Sequence, residues 1–132
     1  MREVFIVMEK DAKTGFILSE ITSLTVDCAE YVAGLHCVRK DSGSDIYDCR
    51  LFLTVARDVS DEMYDDVFDY YDGEVLIESG VRELSEVTEY EKPVWEAVFS
   101  FSSVDSLESM INQIVSVHKK ETEDVFLVLQ KM

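Results

Sequence analysis

Two histidines, three cysteines and a dense run of carboxylates are the side chains of this chain best placed to do chemistry. His118 falls in the middle of an apolar helical stripe, one turn after Ile114. A buried imidazole must hydrogen-bond or give up its charge, so this is where a general acid or base could sit. The competing reading is structural. His118 lies in the last turn of its expected helix, where it would complement the helix dipole or pack against the core edge. The structural reading is the expected one. Cys37 and Cys49 come into opposition if the segment between them is a hairpin, and His36 is then adjacent to Cys37. Opposed strand residues can approach disulfide distance, and a thiolate beside an imidazole can act as nucleophile or ligand. Free cysteines are more often small core residues, and no Cys-x-x-Cys pair is present, so packing is expected here too.

The carboxylates are unevenly placed. Net charge is −16, and the stretch Asp58–Glu91 holds thirteen acids against the single base Arg82. In one helical projection Asp61, Glu62, Asp65, Asp66, Asp69 and Asp72 fill one arc. Met63, Tyr64, Val67, Phe68, Tyr70 and Tyr71 fill the other, an arc of about 160° at ~100° per residue. Asp61 with Asp65, Glu62 with Asp66, and Asp65 with Asp69 are like-charge pairs four apart. Each costs a helix roughly 0.2–0.5 kcal/mol at low salt. Asp69 and Asp72 also face the negative end of the dipole. Nothing local offsets this, so the six acids are the candidate partner-binding residues, suited to a basic protein surface. The plain alternative is a solvated face that keeps the chain soluble. Neither Asp66-Asp69-Asp72 nor Asp41–Asp48 has the spacing of a calcium loop, and no metal or other cofactor is expected.

Several chemistries are excluded by what is missing. There is no Gly-x-Ser-x-Gly elbow, no Gly-x-Gly-x-x-Gly and no P-loop. A nucleic-acid surface needs clustered Lys and Arg, which a chain with twelve bases against 28 acids does not offer. The apolar runs Val4–Met8 and Val125–Leu129 are far shorter than the ~20 residues of a membrane span. With no secretory leader evident and an odd number of cysteines, a cytoplasmic setting is expected.

These side chains must be positioned by a single α+β domain over residues 1–132, since 47% hydrophobic content at this length supports one core. Strands are predicted at Arg2–Met8 and Phe16–Val26, with a turn over Glu9–Gly15. A second hairpin pairs Glu30–Lys40 with Ile46–Arg57 around the turn Asp41-Ser42-Gly43-Ser44-Asp45. Centred on Gly43, it sets Cys37 opposite Cys49, Leu35 opposite Leu51, Ala33 opposite Leu53 and Tyr31 opposite Val55 on the core face. Val38 with Asp48, His36 with Arg50 and Gly34 with Phe52 occupy the other face. A helix follows, capped by Asp58, Ser60 or Asp61 and ended by Gly73. Glu74–Tyr90 is predicted as an interrupted strand and Pro93–Ser102 as an alternating one. A second helix starts at Ser103 or Asp105, with a capping box from Asp105 to Glu108, and closes at Lys119-Lys120. Thr122–Lys131 is predicted as a last, fully buried strand.

From residue 46 this gives the ferredoxin-like βαββαβ order, preceded by three N-terminal strands. The sheet should be mainly antiparallel, with two helices on one face. Such folds host many functions. The leading expectation is a non-catalytic protein-interaction module acting through the acidic helix face. The alternative is a small-ligand regulatory domain using the turn Arg57-Asp58-Val59-Ser60. An enzyme using His118 with nearby carboxylates ranks third. Oligomeric state is open, and a homodimer is compatible with this reading.

Overall fold

A computed structural model of the chain describes residues 1–40 and 45–131. Among them, strands β1 (Glu3–Lys10), β2 (Ile17–Val26), β3 (Val32–Arg39), β4 (Tyr47–Thr54), β5 (Glu83–Val87) and β6 (Val94–Phe101) form one sheet. Its order is β2-β1-β3-β4-β6-β5. The helices are α1 (Asp61–Tyr70), α2 (Glu74–Glu78) and α3 (Val104–Gln130), and a short 3₁₀ turn spans Ala29–Tyr31. The mixed α+β class and the mainly antiparallel sheet follow the sequence. Only β1 and β3 run parallel. The segment between β2 and β3 crosses the end of β1, where Ala29 N–H donates to the Met1 carbonyl at 2.9 Å.

The β3–β4 register is the predicted one from Gly34 to Val38, with Cys37 opposite Cys49, Leu35 opposite Leu51 and His36 opposite Arg50. An irregularity at Ala33 then slips the pairing, so Val32 rather than Ala33 faces Leu53. Tyr31 lies in the 3₁₀ turn and does not pair with Val55. The predicted turn centred on Gly43 falls on 41–44, outside the described residues.

Thr122–Lys131 and the first part of the interrupted strand Glu74–Tyr90 are helical instead, while the part after Gly80 is the strand β5 as predicted. Within Thr122–Lys131, residues Thr122, Val125 and Phe126 are buried while Leu127 is 55% exposed. Those buried positions continue the stripe Ile111, Ile114, Val115 and His118 at spacings of three and four. No glycine or proline interrupts residues 104–130, so the helix already running through Lys119 propagates to Gln130. Among the described residues the helix beyond the two expected is α2. In Glu74–Glu78, the N–H groups of Leu76 and Ile77 bond to the Gly73 carbonyl, and Leu76 is fully buried. Gly80, with φ +108°, ends that turn in a conformation other residues rarely adopt. The order after residue 46 is β4-α1-α2-β5-β6-α3, which is not the ferredoxin-like one.

The capping box is also replaced. Ser103 precedes α3 without a side-chain cap. Glu108 turns instead to β2, accepting the Thr25 N–H at 3.1 Å, and Asn112 accepts the Asp27 N–H at 2.9 Å. Asn112 donates back to the Thr25 carbonyl at 2.9 Å. β2 is an edge strand, so these side chains occupy backbone groups that would otherwise be open to another strand. Two register shifts against β1 interrupt the rest of the edge.

One sheet face and the helices share a single buried cluster. Cys37, Cys49, Leu51, Leu53, Trp95, Ala97 and Phe99 meet Val67, Phe68, Leu76, Leu107, Ile111, Ile114 and Phe126 there. Each fully buried aliphatic or aromatic side chain stabilises the fold by roughly 1.5–3 kcal/mol. The opposite face is held by polar contacts: Arg50 to Glu96 at 3.0 Å, and Arg82 to Asp48 at 3.1 Å with Ser100 bridging. These carboxylates are partly shielded, and the Arg82 bond holds Asp48 below the ordinary carboxylate range.

Candidate functional site

His118 is fully buried in the middle of α3, not at a helix end, because α3 continues for three more turns. Both ring nitrogens are engaged. Nε2 lies 2.7 Å from the Thr54 carbonyl, which can only accept, so Nε2 carries the proton. Nδ1 is then the acceptor for the Tyr71 hydroxyl at 2.8 Å. Burial disfavours the imidazolium and lowers His118 to about 4. Burial likewise raises Tyr71 far above its ordinary value, so the phenol keeps its proton. The aromatic shell is continuous: Tyr71 stacks on Trp95 at 4.4 Å, Trp95 meets His118 edge-on at 5.2 Å, and Tyr31 does so at 6.0 Å. His118 thus ties α3 to the end of α1, the end of β4 and the middle of the sheet. With no exposed surface and no free nitrogen, it offers a substrate neither access nor a proton-transfer partner. The sequence placed it on the apolar stripe but gave no sign of its two partners, which lie 47 and 64 residues away.

Cys37 and Cys49 are both free and buried. The hydrogen bond with Cys37, together with burial, holds the Cys49 thiol well above its ordinary value. A protonated, inaccessible thiol is a packing group, as the composition suggested. His36 is on the other sheet face, stacked on Phe52 at 6.0 Å, and is not part of this pair. Among the described residues no three His, Cys, Asp or Glu side chains converge as metal ligands.

Five of the six acids are spread over the whole length of α1, Asp61 to Asp69, and Asp72 is in the bend after it. Asp61, Glu62, Asp65, Asp69 and Asp72 are exposed and Asp66 is partly exposed, while Val67, Phe68 and Tyr71 are buried behind them. The division into an acidic arc and an apolar arc is therefore realised, except that Tyr70 is 45% exposed. Ser60 precedes the helix, with no side-chain cap bond, and Tyr71 rather than Gly73 closes it. None of the six forms an ion pair among the described residues. The patch also borders α3: Glu121 accepts the Asp72 N–H at 3.0 Å, and burial with the nearby charges of Asp72 and Asp124 raises its carboxyl.

A concavity opens where β4 leaves the sheet. It encloses about 200 Å³ and is lined by Tyr31, Ala56, Arg57, Thr122, Glu123 and Phe126. Arg57 lies over the Phe126 ring, 4.2 Å from its centre. Of the turn Arg57-Asp58-Val59-Ser60 that the sequence marked for a small ligand, only Arg57 lines this concavity. Tyr31 reads from sequence as a core-face strand residue opposite Val55, and Thr122, Glu123 and Phe126 read as part of a last strand, so neither wall was evident.

The chain matches, over residues 1–132, the model described as a family of unknown function, DUF6762. No curated protein and no solved structure matches it.

Proposed function

Since the chain belongs to the DUF6762 family, whose description assigns no role, we propose a function from its surface: a non-catalytic protein-interaction module whose acidic α1 face receives a basic protein surface. The observation that carries this reading is the absence of any ion pair at Asp61, Glu62, Asp65, Asp66, Asp69 and Asp72 among the described residues. A helix that tolerates three like-charge pairs and acids at its negative end gives up about 1 kcal/mol. A single lysine would relieve the strain. A cationic partner would relieve it too, and would gain association rate from the concentrated field. The buried, doubly bonded His118 and the protonated Cys49 support a non-catalytic reading.

The test is calorimetric binding of a lysine-rich peptide to the wild type and to a variant with Asp65, Asp66 and Asp69 replaced by asparagine. The reading expects binding that weakens steeply with salt and is lost in the variant. Equal binding by the two proteins would overturn it.

A further inference from the structure

The concavity beside β4 holds two opposite charges that do not pair with each other. Arg2, Arg39, Arg50 and Arg82 each sit within hydrogen-bond reach of a carboxylate, at 2.9, 3.2, 3.0 and 3.1 Å. Arg57, the remaining arginine, has no carboxylate partner among the described residues. In a chain of net charge −16 that isolation is unexpected on electrostatic grounds alone. Its guanidinium instead lies over the Phe126 ring, 4.2 Å from the ring centre, and Phe126 is 4% exposed and fixed in the core. A guanidinium over an aromatic face is attracted by the ring and keeps its N–H donors for a carboxylate. Glu123 lines the same concavity and forms no ion pair among the described residues. Tyr31 is the third polar wall. Its ring is anchored against His118, and its hydroxyl keeps its proton, because burial and then the charge of Glu123 raise it.

We infer that this concavity is a binding site for a small free α-amino acid. The carboxylate would lie on the Arg57 fork with the Tyr31 hydroxyl as a further donor, and the ammonium would lie against Glu123. A simple anion satisfies Arg57 but meets repulsion from Glu123, and a simple cation meets the reverse. A zwitterion satisfies both walls, and about 200 Å³ has room for a small amino acid. The site involves none of the six α1 acids, so it stands or falls separately from the acidic face. It lies on the 3₁₀ turn, α3 and the segment just after β4, and His118 ties α3 to the end of β4 and packs against Tyr31.

The experiment is a two-dimensional amide NMR titration of the full chain with L-alanine, with sodium acetate and methylammonium chloride as single-charge controls. Saturable shifts at Ala56, Arg57, Thr122 and Glu123 with L-alanine, at least about tenfold tighter than with either control, are expected. That factor is the size of one charge-assisted hydrogen bond. Arg57→Gln and Glu123→Gln should each weaken alanine binding about tenfold or more while the remaining spectrum stays native. No saturable shift with L-alanine would overturn the proposal. So would acetate binding as tightly as L-alanine, or alanine binding that survives Glu123→Gln.

Discussion

His118 links the fold to pH in a way that can be computed from its surroundings. The ring titrates at 6.5 in an ordinary setting and at about 4 when folded, because burial disfavours its charged form. As pH falls, the unfolded chain therefore takes up the proton first. The stability owed to this group is complete above pH 6.5, declines through the interval, and is gone below pH 4. A gap of about 2.5 pH units at ~1.36 kcal/mol each corresponds to about 3 kcal/mol, a large share of a typical domain's margin. The comparison partner is His118→Gln, which cannot titrate and can still donate to the Thr54 carbonyl. It leaves the Tyr71 hydroxyl less well satisfied, so at pH 7 it should be about 1–3 kcal/mol less stable. Urea unfolding of both proteins at half-unit steps from pH 8 to 4 isolates the histidine, since every other titrating group is common to both. The wild type should lose about 3 kcal/mol more than the variant across that range, so the two curves should meet or cross at low pH. Curves that stay parallel would refute the burial of an uncharged imidazole at this position.

Further outcomes follow from the other elements. Replacing Asp65, Asp66 and Asp69 by asparagine should raise stability by about 1 kcal/mol at low salt, and the gain should shrink in high salt, as read from thermal melts. Phe126→Ala should cost about 3–5 kcal/mol in chemical denaturation, whereas Leu127→Ala should cost under about 0.5 kcal/mol. A Leu127→Ala cost as large as that of Phe126→Ala would restore the reading of Thr122–Lys131 as a fully buried strand. Glu108→Ala should speed hydrogen exchange at the Thr25 amide, which then loses its acceptor at the sheet edge. With a thiol reagent, the partly exposed Cys28 should react in the native protein, and Cys37 and Cys49 only on unfolding.

The elements that read correctly from sequence share one property: their periodicity is unambiguous. The alternation through Leu35, Cys37, Cys49 and Leu51 fixes a face and a register together, and the structure pairs those residues as expected. The α1 segment separates its acids from its apolar residues completely, so helix was the only pattern that fitted. Val125–Leu129 is five apolar residues in a row and fits a buried strand or a helix equally well. The decision lay outside it, in an uninterrupted helix upstream that could extend over Thr122, Val125 and Phe126. Val75 and Ile77 alternate like a strand, but Leu76 is the residue that is buried, and tertiary packing set that turn. The parallel contact of β1 with β3 and the partners of His118 are long-range, and no local pattern encodes them. The acidic face was fully legible because it is a property of one helix. Of the Arg57 concavity only Arg57 itself was legible, as part of the turn after β4, and the wall from α3 was hidden behind the strand reading.

The most direct test of the acidic-face account is residue-resolved. The lysine-rich peptide is titrated into isotope-labelled protein and the amide shifts are followed by NMR. The account expects the shifts to concentrate on 61–72 and to vanish when Asp65, Asp66 and Asp69 are asparagine. Equal shifts around exposed acids elsewhere, such as Glu3, Asp27 and Asp105, would contradict it, because the face would then be acidic surface like any other.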